Sequence, residues 1–158
     1  MLFRSKKIFE AKQEVISFIG VLEHIINLDE IFDAIKENKN IHYIYFSVPM
    51  FSYSIMFESV FDSVFNRNLG GAHTHLFSNG SIEYLCKKYS WEIVSQWRFG
   101  TDIPDLIRSI SVLMDKNGNS MLSDFFKKKA ISVMDDLQLV IDKSGLCSEI
   151  HILVKKTV

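Results

Sequence analysis

Two short runs of consecutive apolar residues divide the first third of the chain into strands and a helix. Val15–Ile19 and Ile41–Val48 are rich in β-branched and aromatic residues, which is typical of strands covered on both faces. Between them, Leu28–Glu37 repeats its apolar residues at the spacing of one helical face, and Asn27 is the predicted N-cap. Strand, helix and strand in this order predict a parallel pair joined by a right-handed crossover.

The rest of the chain continues the alternation of helices and strands. The predicted helices are 53–65, Ser78 or Asn79 to Tyr89, Thr101 or Asp102 to Leu113, and Met121–Lys143; the predicted strands are Trp91–Phe99 and Glu149–Lys155. Gly145 is the expected left-handed stop of the last helix. Strands in long alternation with helices predict an α/β sheet.

Composition narrows the class of protein and its surroundings. The 158 residues are 47% hydrophobic, and 18 basic against 19 acidic residues give a net charge of −1, so we expect no nucleic-acid partner. The two cysteines form no metal or redox motif, which is typical of a reduced, cytoplasmic protein. Pro49 and Glu58 interrupt the most apolar window, 41–65, so we expect no membrane span.

The turn Gly20–His24 is the first candidate functional feature. It follows the carboxyl end of a predicted buried strand, the edge at which open α/β sheets bind ligands. Gly20 would let a ligand approach the backbone closely. Alternatively, the turn needs glycine only for its own backbone dihedral angles. Pro49 ends the neighbouring strand at the same edge, and this favours a cleft.

A pair of histidines is the second candidate feature. His73 and His75 flank Thr74 after a glycine pair, and the ordinary pKa of histidine suits a general base. The alternative is that one of them caps the following helix or hydrogen-bonds across the loop. Glu23 and His24 could join them around a metal ion, but no ligand spacing requires it, so we expect no metal.

The order and spacing of four motifs resemble a known family. They are the strand ending in Gly20-Val21-Leu22-Glu23-His24, the strand ending in Phe46-Ser47-Val48-Pro49, the block His75-Leu76-Phe77-Ser78, and the strand start Trp91-Glu92-Ile93-Val94. Over about residues 14–155, this order resembles the second half of a class I S-adenosylmethionine-dependent methyltransferase, entered at its fourth strand. The block beginning at His75 is similar to that of enzymes acting on small molecules, including those of sugar and surface-polysaccharide pathways.

The resemblance implies a fold, a cofactor and roles for individual residues. The fold would be the C-terminal half of a Rossmann-like sheet with flanking helices and an antiparallel terminal strand. S-adenosyl-L-methionine would be the methyl donor and a small molecule the acceptor. The residues implied are Gly20, Val21 and Leu22 for the cofactor, Glu23 and His24 for the substrate, and His75 or His73 as the base.

Two departures from the family's pattern leave alternative functions open. Glu14 stands where the family usually has aspartate, and no glycine-rich loop or ribose-binding acid precedes it. We therefore expect a single partial domain over 1–158: an upstream tail (1–13), a strand–helix–strand unit (14–49), a lid or insert (50–75), and C-terminal helices and strands (76–158). It would catalyse methyl transfer with a separate N-terminal half. The alternative is a non-catalytic fragment or a homodimerisation module that binds no cofactor.

Overall fold

A computed structural model of the protein describes residues 5–62, 64–70 and 72–157. These residues form two compact units, the first drawn from Met1–Pro49, Thr74–Trp97 and Ile150–Val158, the second from Met50–His73 and Arg98–Glu149. The helices are α1 (Ser5–Phe9), α2 (Leu28–Glu37), α3 (Tyr53–Val60), α4 (Asn79–Tyr89), α5 (Asp102–Lys116) and α6 (Ser120–Ser144). The strands are β1 (Val15–Ile19), β2 (Tyr43–Pro49), β3 (Trp91–Phe99) and β4 (Glu149–Lys156), and a 3₁₀ turn spans Leu22–His24.

The sheet has four strands in the order β1-β2-β4-β3. Strands β1 and β2 are parallel, with Ile19 opposite Ser47. The end of β4 lies beside the starts of its neighbours, because the Lys156 amide donates to the His42 carbonyl at 2.9 Å and the Thr157 amide to the Ser90 carbonyl at 2.8 Å. Strand β4 is therefore antiparallel and inserted between β2 and β3. The predicted α/β fold with an antiparallel terminal strand is confirmed.

The core of the first unit lies on one face of this sheet, against α2 and α4. Alternate residues of β4 are buried, as the period of two requires for a sheet packed on one face, and Ile44, Phe46 and Val48 of β2 follow the same period. Phe32 of α2 is fully buried and meets Trp91 edge to face, with ring centroids 5.1 Å apart. Each large apolar side chain buried here contributes about 1.5–3 kcal/mol to folding. The apolar face predicted for Leu28–Glu37 is thus buried. The prediction of strands covered on both faces is wrong for β1, because Val15 and Ile19 are more than half exposed.

Local signals fix one end each of α2, α4 and α6. Asn27 accepts a hydrogen bond from the Glu30 amide, Ser78 and Ser81 form a reciprocal capping box, and Gly145 ends α6 with φ of +74°. The predicted helix over 53–65 is wrong at its end, because α3 stops at Val60.

In the second unit, a buried carboxylate holds α3 against the start of α5. Asp102 is inaccessible to solvent and accepts hydrogen bonds from the Ser54 amide and hydroxyl and from the Ser148 amide, at 2.9–3.0 Å. A side chain at Gly100 would bring its Cβ to 2.5 Å from both Asp102 and Ser148, so this position requires glycine. Asp102 thereby binds the Ser54 N–H, which the α3 terminus would otherwise leave unpaired.

Segment 50–75, predicted to be a lid or insert, falls mostly in the second unit together with 98–149. A role as a lid stays a prediction. The amphipathic pattern of the long helix α6 would place its apolar residues in a core, but Leu122, Val133, Leu137 and Val140 are about half exposed or more. Among the described residues, no helix is both long and apolar enough to cross a membrane.

Candidate functional site

The turn after β1 leaves the strand through a glycine. Gly20 has φ of +61°, which favours glycine over residues that carry a Cβ. Its amide donates to the hydroxyl of Ser47 at 3.2 Å, so a buried side chain of β2 satisfies the first N–H beyond β1. The nearest atom to a Cβ placed there would be a Glu23 carboxylate oxygen at 3.7 Å, an ordinary contact. The backbone dihedral angle, and not crowding, therefore selects glycine.

Glu23 places a buried carboxylate at this edge of the sheet. The residue is 5% exposed, and its Oε2 atom has no hydrogen-bond partner among the described residues. Its Oε1 atom lies 3.8 Å from Nε2 of His24, whose side chain is 41% exposed. Burying a carboxylate oxygen without a donor is costly, so this atom suits a ligand that brings a hydroxyl or ammonium proton.

The Glu23 carbonyl anchors a segment that is distant in sequence. It accepts the amides of Thr74 at 2.7 Å and His75 at 3.2 Å, and the Thr74 hydroxyl at 3.0 Å. The turn after β1 and the segment carrying His75 are thus joined within the first unit, as the cleft hypothesis requires.

The hydrogen bonds around Thr74 bear on the protonation of His75. The Thr74 hydroxyl lies 2.9 Å from Nδ1 of His75 and also donates to the Glu23 carbonyl. A hydroxyl has one proton, so with that proton on the carbonyl, Nδ1 must be the donor to Thr74 Oγ1. This tautomer leaves the lone pair on Nε2, which is the form a general base needs.

A second anchor joins the same segment to β2. The Phe77 amide donates to the Pro49 carbonyl at 3.2 Å, and the rings of His75 and Phe77 lie 6.4 Å apart. Since Pro49 ends β2, His75 is held between the carboxyl ends of β1 and β2, where a parallel pair presents its ligand-binding edge.

The three residues predicted to bind the cofactor differ in accessibility. Gly20 is exposed and Val21 half-buried, whereas the Leu22 side chain is completely buried in the core. Only the backbone of Leu22 could therefore contact a ligand. Its side chain instead fixes the position of the turn.

His73 belongs to the second unit, where its Nδ1 atom lies 3.3 Å from the Asn68 carbonyl. A carbonyl only accepts, so Nδ1 carries a proton in this bond. The loop containing Asn68 is ordered by the buried Glu58, whose carboxylate accepts the amides of Arg67, Asn68 and Leu69 at 2.8–3.0 Å. Gly71, in the predicted flexible loop, lies outside the described residues.

Two contributors were missed in the sequence. Thr74 was treated only as a spacer between histidines, and Ser47 only as part of a strand ending. Neither pattern carried a usable signal, because each role depends on a hydrogen bond between segments at least 27 positions apart.

The two cysteines are not candidates for nucleophilic chemistry. Cys86 and Cys147 are both buried and unpaired. Burial raises the pKa of each thiol, which suppresses the reactive thiolate.

Comparison with known proteins finds similarity only among solved structures. No protein-family model matches the sequence, and no curated protein matches it. A protein assigned as a sarcosine dimethylglycine methyltransferase from Galdieria sulphuraria aligns with 95% of this chain and 57% of its own, at 11% identity and a TM-score of 0.48. Haemonchus contortus phosphoethanolamine N-methyltransferase 2, solved with S-adenosyl-L-methionine, aligns with 96% of this chain and 36% of its own, at 14% identity and a TM-score of 0.49.

A third structure is the [4+2]-cyclase SpnF, aligned over 93% of this chain and 51% of its own, at 9% identity and a TM-score of 0.46. This chain therefore spans less than two thirds of the length of each of the three structures.

Proposed function

We propose that this chain forms the acceptor side of a cleft for S-adenosylmethionine-dependent methyl transfer to a small molecule, such as a sugar or surface-polysaccharide intermediate. The observation that carries the proposal is the Glu23 carbonyl, which holds His75 at the edge where β1 ends. A candidate base, a buried carboxylate and an exposed glycine backbone are thereby gathered at one edge of the sheet. This gathering agrees with the roles that the sequence resemblance implies.

The residues at this edge fit one side of such a cofactor. Gly20 leaves the backbone approachable, and Val21 lies next to it with a half-buried side chain. When bound, S-adenosylmethionine would supply a methyl group activated by the sulfonium. Residues 1–14 contain no glycine-rich loop, so an N-terminal half outside residues 1–158 would hold the methionine end of the cofactor.

The chain's own residues would bind the acceptor and remove its proton. Nε2 of His75 would accept the proton of an acceptor hydroxyl or amine, with Thr74 holding the ring through Nδ1. Oε2 of Glu23 would accept a second hydrogen bond from the acceptor and so orient it. Positioning of this kind lowers the barrier by fixing the reacting groups in line.

The free edge of β1 supports the need for another half. Among the described residues only β2 pairs with β1, and Val15 and Ile19 on this strand are 53% and 61% exposed. An unpaired apolar edge is a template for a further strand.

Calorimetry with S-adenosylhomocysteine tests the proposal. We expect weak or no binding to residues 1–158, and binding once the chain is extended by its genomic upstream sequence. Losing half of a cleft costs several kcal/mol, and every ~1.4 kcal/mol is tenfold in affinity. A micromolar dissociation constant for residues 1–158 would refute the need for a second half, and no binding by the extended chain would refute the cofactor assignment.

The same edge favours the alternative, a non-catalytic dimerisation module. This alternative predicts a molecular mass that rises with protein concentration. It also predicts that neither the 158-residue chain nor the extended chain binds the cofactor.

A further inference from the structure

A basic cavity lies at the edge of the sheet opposite the candidate cleft. It has a volume of about 610 Å³, within the range of small-molecule sites. Lys36 at the end of α2, His42 before β2 and Ser90 before β3 line it, and the antiparallel β4 brings Lys156 and Thr157 to the same place. Every member of this group belongs to the first unit.

The lining of this cavity is strongly positive. Lys36, Lys39 and Lys156 contribute three positive charges, and no aspartate or glutamate is among the lining residues. Lys36 and Lys39 are exposed and make no ion pair within the described part of the chain. On a protein whose net charge is −1, the charges of Lys36 and Lys39 are therefore available to an anionic ligand.

The charge of Lys156 is held in place in the wall of the cavity by hydrogen bonds. Nζ of Lys156 donates to the carbonyls of Ile35, Lys36 and Asn38 at 2.8, 3.0 and 2.8 Å. Donating three hydrogen bonds at once requires the protonated ammonium. It caps the end of α2 and offsets the negative end of the helix dipole, which would otherwise repel an anion.

The rest of the wall is also held in place. The Thr157 hydroxyl donates to the Ser90 carbonyl at 2.7 Å, beside the backbone bonds that tie Thr157 to Ser90 and Lys156 to His42. Lys36 and Lys39 can therefore close on a ligand against a pre-formed surface, which reduces the cost of ordering it.

We propose that this cavity binds the phosphate group of a small phosphorylated metabolite. Lys36 and Lys39 would contact the phosphate oxygens, while Lys156 supplies a fixed field. The cavity volume leaves room for the organic part of the ligand. The site is independent of the methyl-transfer cleft, since it lies at the other end of the strands.

An NMR titration of the ¹⁵N-labelled 158-residue chain tests the site, with glucose 6-phosphate and inorganic phosphate as probes and uncharged glucose as the control. We expect saturable shifts at the amides of Lys39, Ser90 and Thr157 with both phosphates and none with glucose. Shifts that do not saturate, that spread over the surface, or that glucose reproduces would overturn the proposal.

Paired variants distinguish a specific binding site from a general effect of surface charge. Lys36→Gln with Lys39→Gln should weaken glucose 6-phosphate binding roughly tenfold or more. The matched control, Lys128→Gln with Lys143→Gln, removes the same charge from exposed positions of α6 and should leave binding unchanged. Equal weakening in both would overturn the proposal. Thermal unfolding confirms that each variant is folded, and Lys39→Gln alone, with a smaller loss expected, replaces the pair if it is not.

Discussion

At the scale of single residues, the neighbours of His75 bear on which of its two predicted roles to test. The imidazole has a partner at Nδ1, Thr74, which is itself bound to the Glu23 carbonyl. A histidine that only capped the following helix would have no need of this arrangement, because Ser78 and Ser81 already cap α4.

His75→Ala should therefore affect catalysis more than stability. In an extended, catalytically complete chain, we expect the methyl-transfer rate to fall by about 10²–10⁴-fold, the typical contribution of a general base. Affinity for S-adenosylhomocysteine should change little, because the proposed cofactor contacts belong to Gly20 and Val21. Unchanged turnover with a lower melting temperature would instead assign His75 a structural role.

Thr74→Val gives an intermediate case for the same hypothesis. It removes the oxygen beside Nδ1 but keeps the imidazole, so the rate should fall less than in His75→Ala. A fraction of the neutral imidazole should then carry its proton on Nε2, because the tautomer is no longer fixed.

Asp29 offers a residue-scale prediction about pH. The Lys88 ammonium, 2.8 Å away, and the Tyr89 hydroxyl hydrogen-bond to this carboxylate and lower its pKa below 3.8. A lowered carboxyl pKa stabilises the fold above the unfolded-state pKa, and the contribution is lost as pH falls through the folded-state pKa. The same cluster raises the pKa of Lys88, and burial raises that of Tyr89 to about 12, so both groups stay protonated in this acidic range and only Asp29 titrates there.

Melting temperatures of Asp29→Asn and the unmodified chain should therefore differ near neutral pH and converge below about pH 4. The difference should be small, because the Asp29 side chain is 57% exposed and water screens the pair. Asp135→Asn, at an exposed position of α6, is the matched control and should show no such convergence. A constant offset at all pH values would contradict the electrostatic origin.

At the scale of elements, the sequence predicted the strands and helices better than the tertiary contacts around them. Periodicity located β1, α2 and β2 to within two residues, because their patterning, caps and turn residues all agree. The end of α3 could not be predicted in this way. Residues up to Val64 keep a helical stripe, but Glu58 instead binds the amides of the following loop, a tertiary contact with no local signature.

The same difference between local and tertiary features applies to the candidate site. Gly20 and the strand ends follow from local rules, so the position of the candidate cleft at this edge was predictable. The anchoring of Thr74 and His75 on the Glu23 carbonyl joins positions 51 and 52 residues apart, and no pattern in the sequence encodes that pairing.

Glu58→Gln tests how far one carboxylate orders a loop. The variant should lose about 1–3 kcal/mol of unfolding free energy, because its side-chain nitrogen cannot accept the amides that the second oxygen now binds. Hydrogen exchange at Arg67, Asn68 and Leu69 should accelerate more than elsewhere. Glu83→Gln, at an exposed position of α4, is the control and should change neither quantity. Uniform acceleration throughout the chain would contradict a local role.

At the scale of the whole molecule, the two edges of the sheet differ in what they expose. Strand β3 has polar residues among its exposed positions, including Glu92, Ser95 and Gln96. Strand β1 has only Ser17 between its exposed Val15 and Ile19. Charged residues are the usual protection of a sheet edge. The β1 edge lacks them, and this makes it the preferred place for another strand to pair.

We therefore expect the 158-residue chain to associate through β1. Val15→Lys with Ile19→Lys adds two charges to this edge without touching the buried Phe18, so the variant should stay folded. Sedimentation or light scattering should show a mass that rises with concentration for the unmodified chain and a monomer for the variant. Ile26→Lys alters a side chain that is 83% exposed but outside the strand, and it should associate like the unmodified chain. If the unmodified chain stays monomeric at every concentration, the prediction is contradicted. If the lysine variant still associates, the interface lies elsewhere.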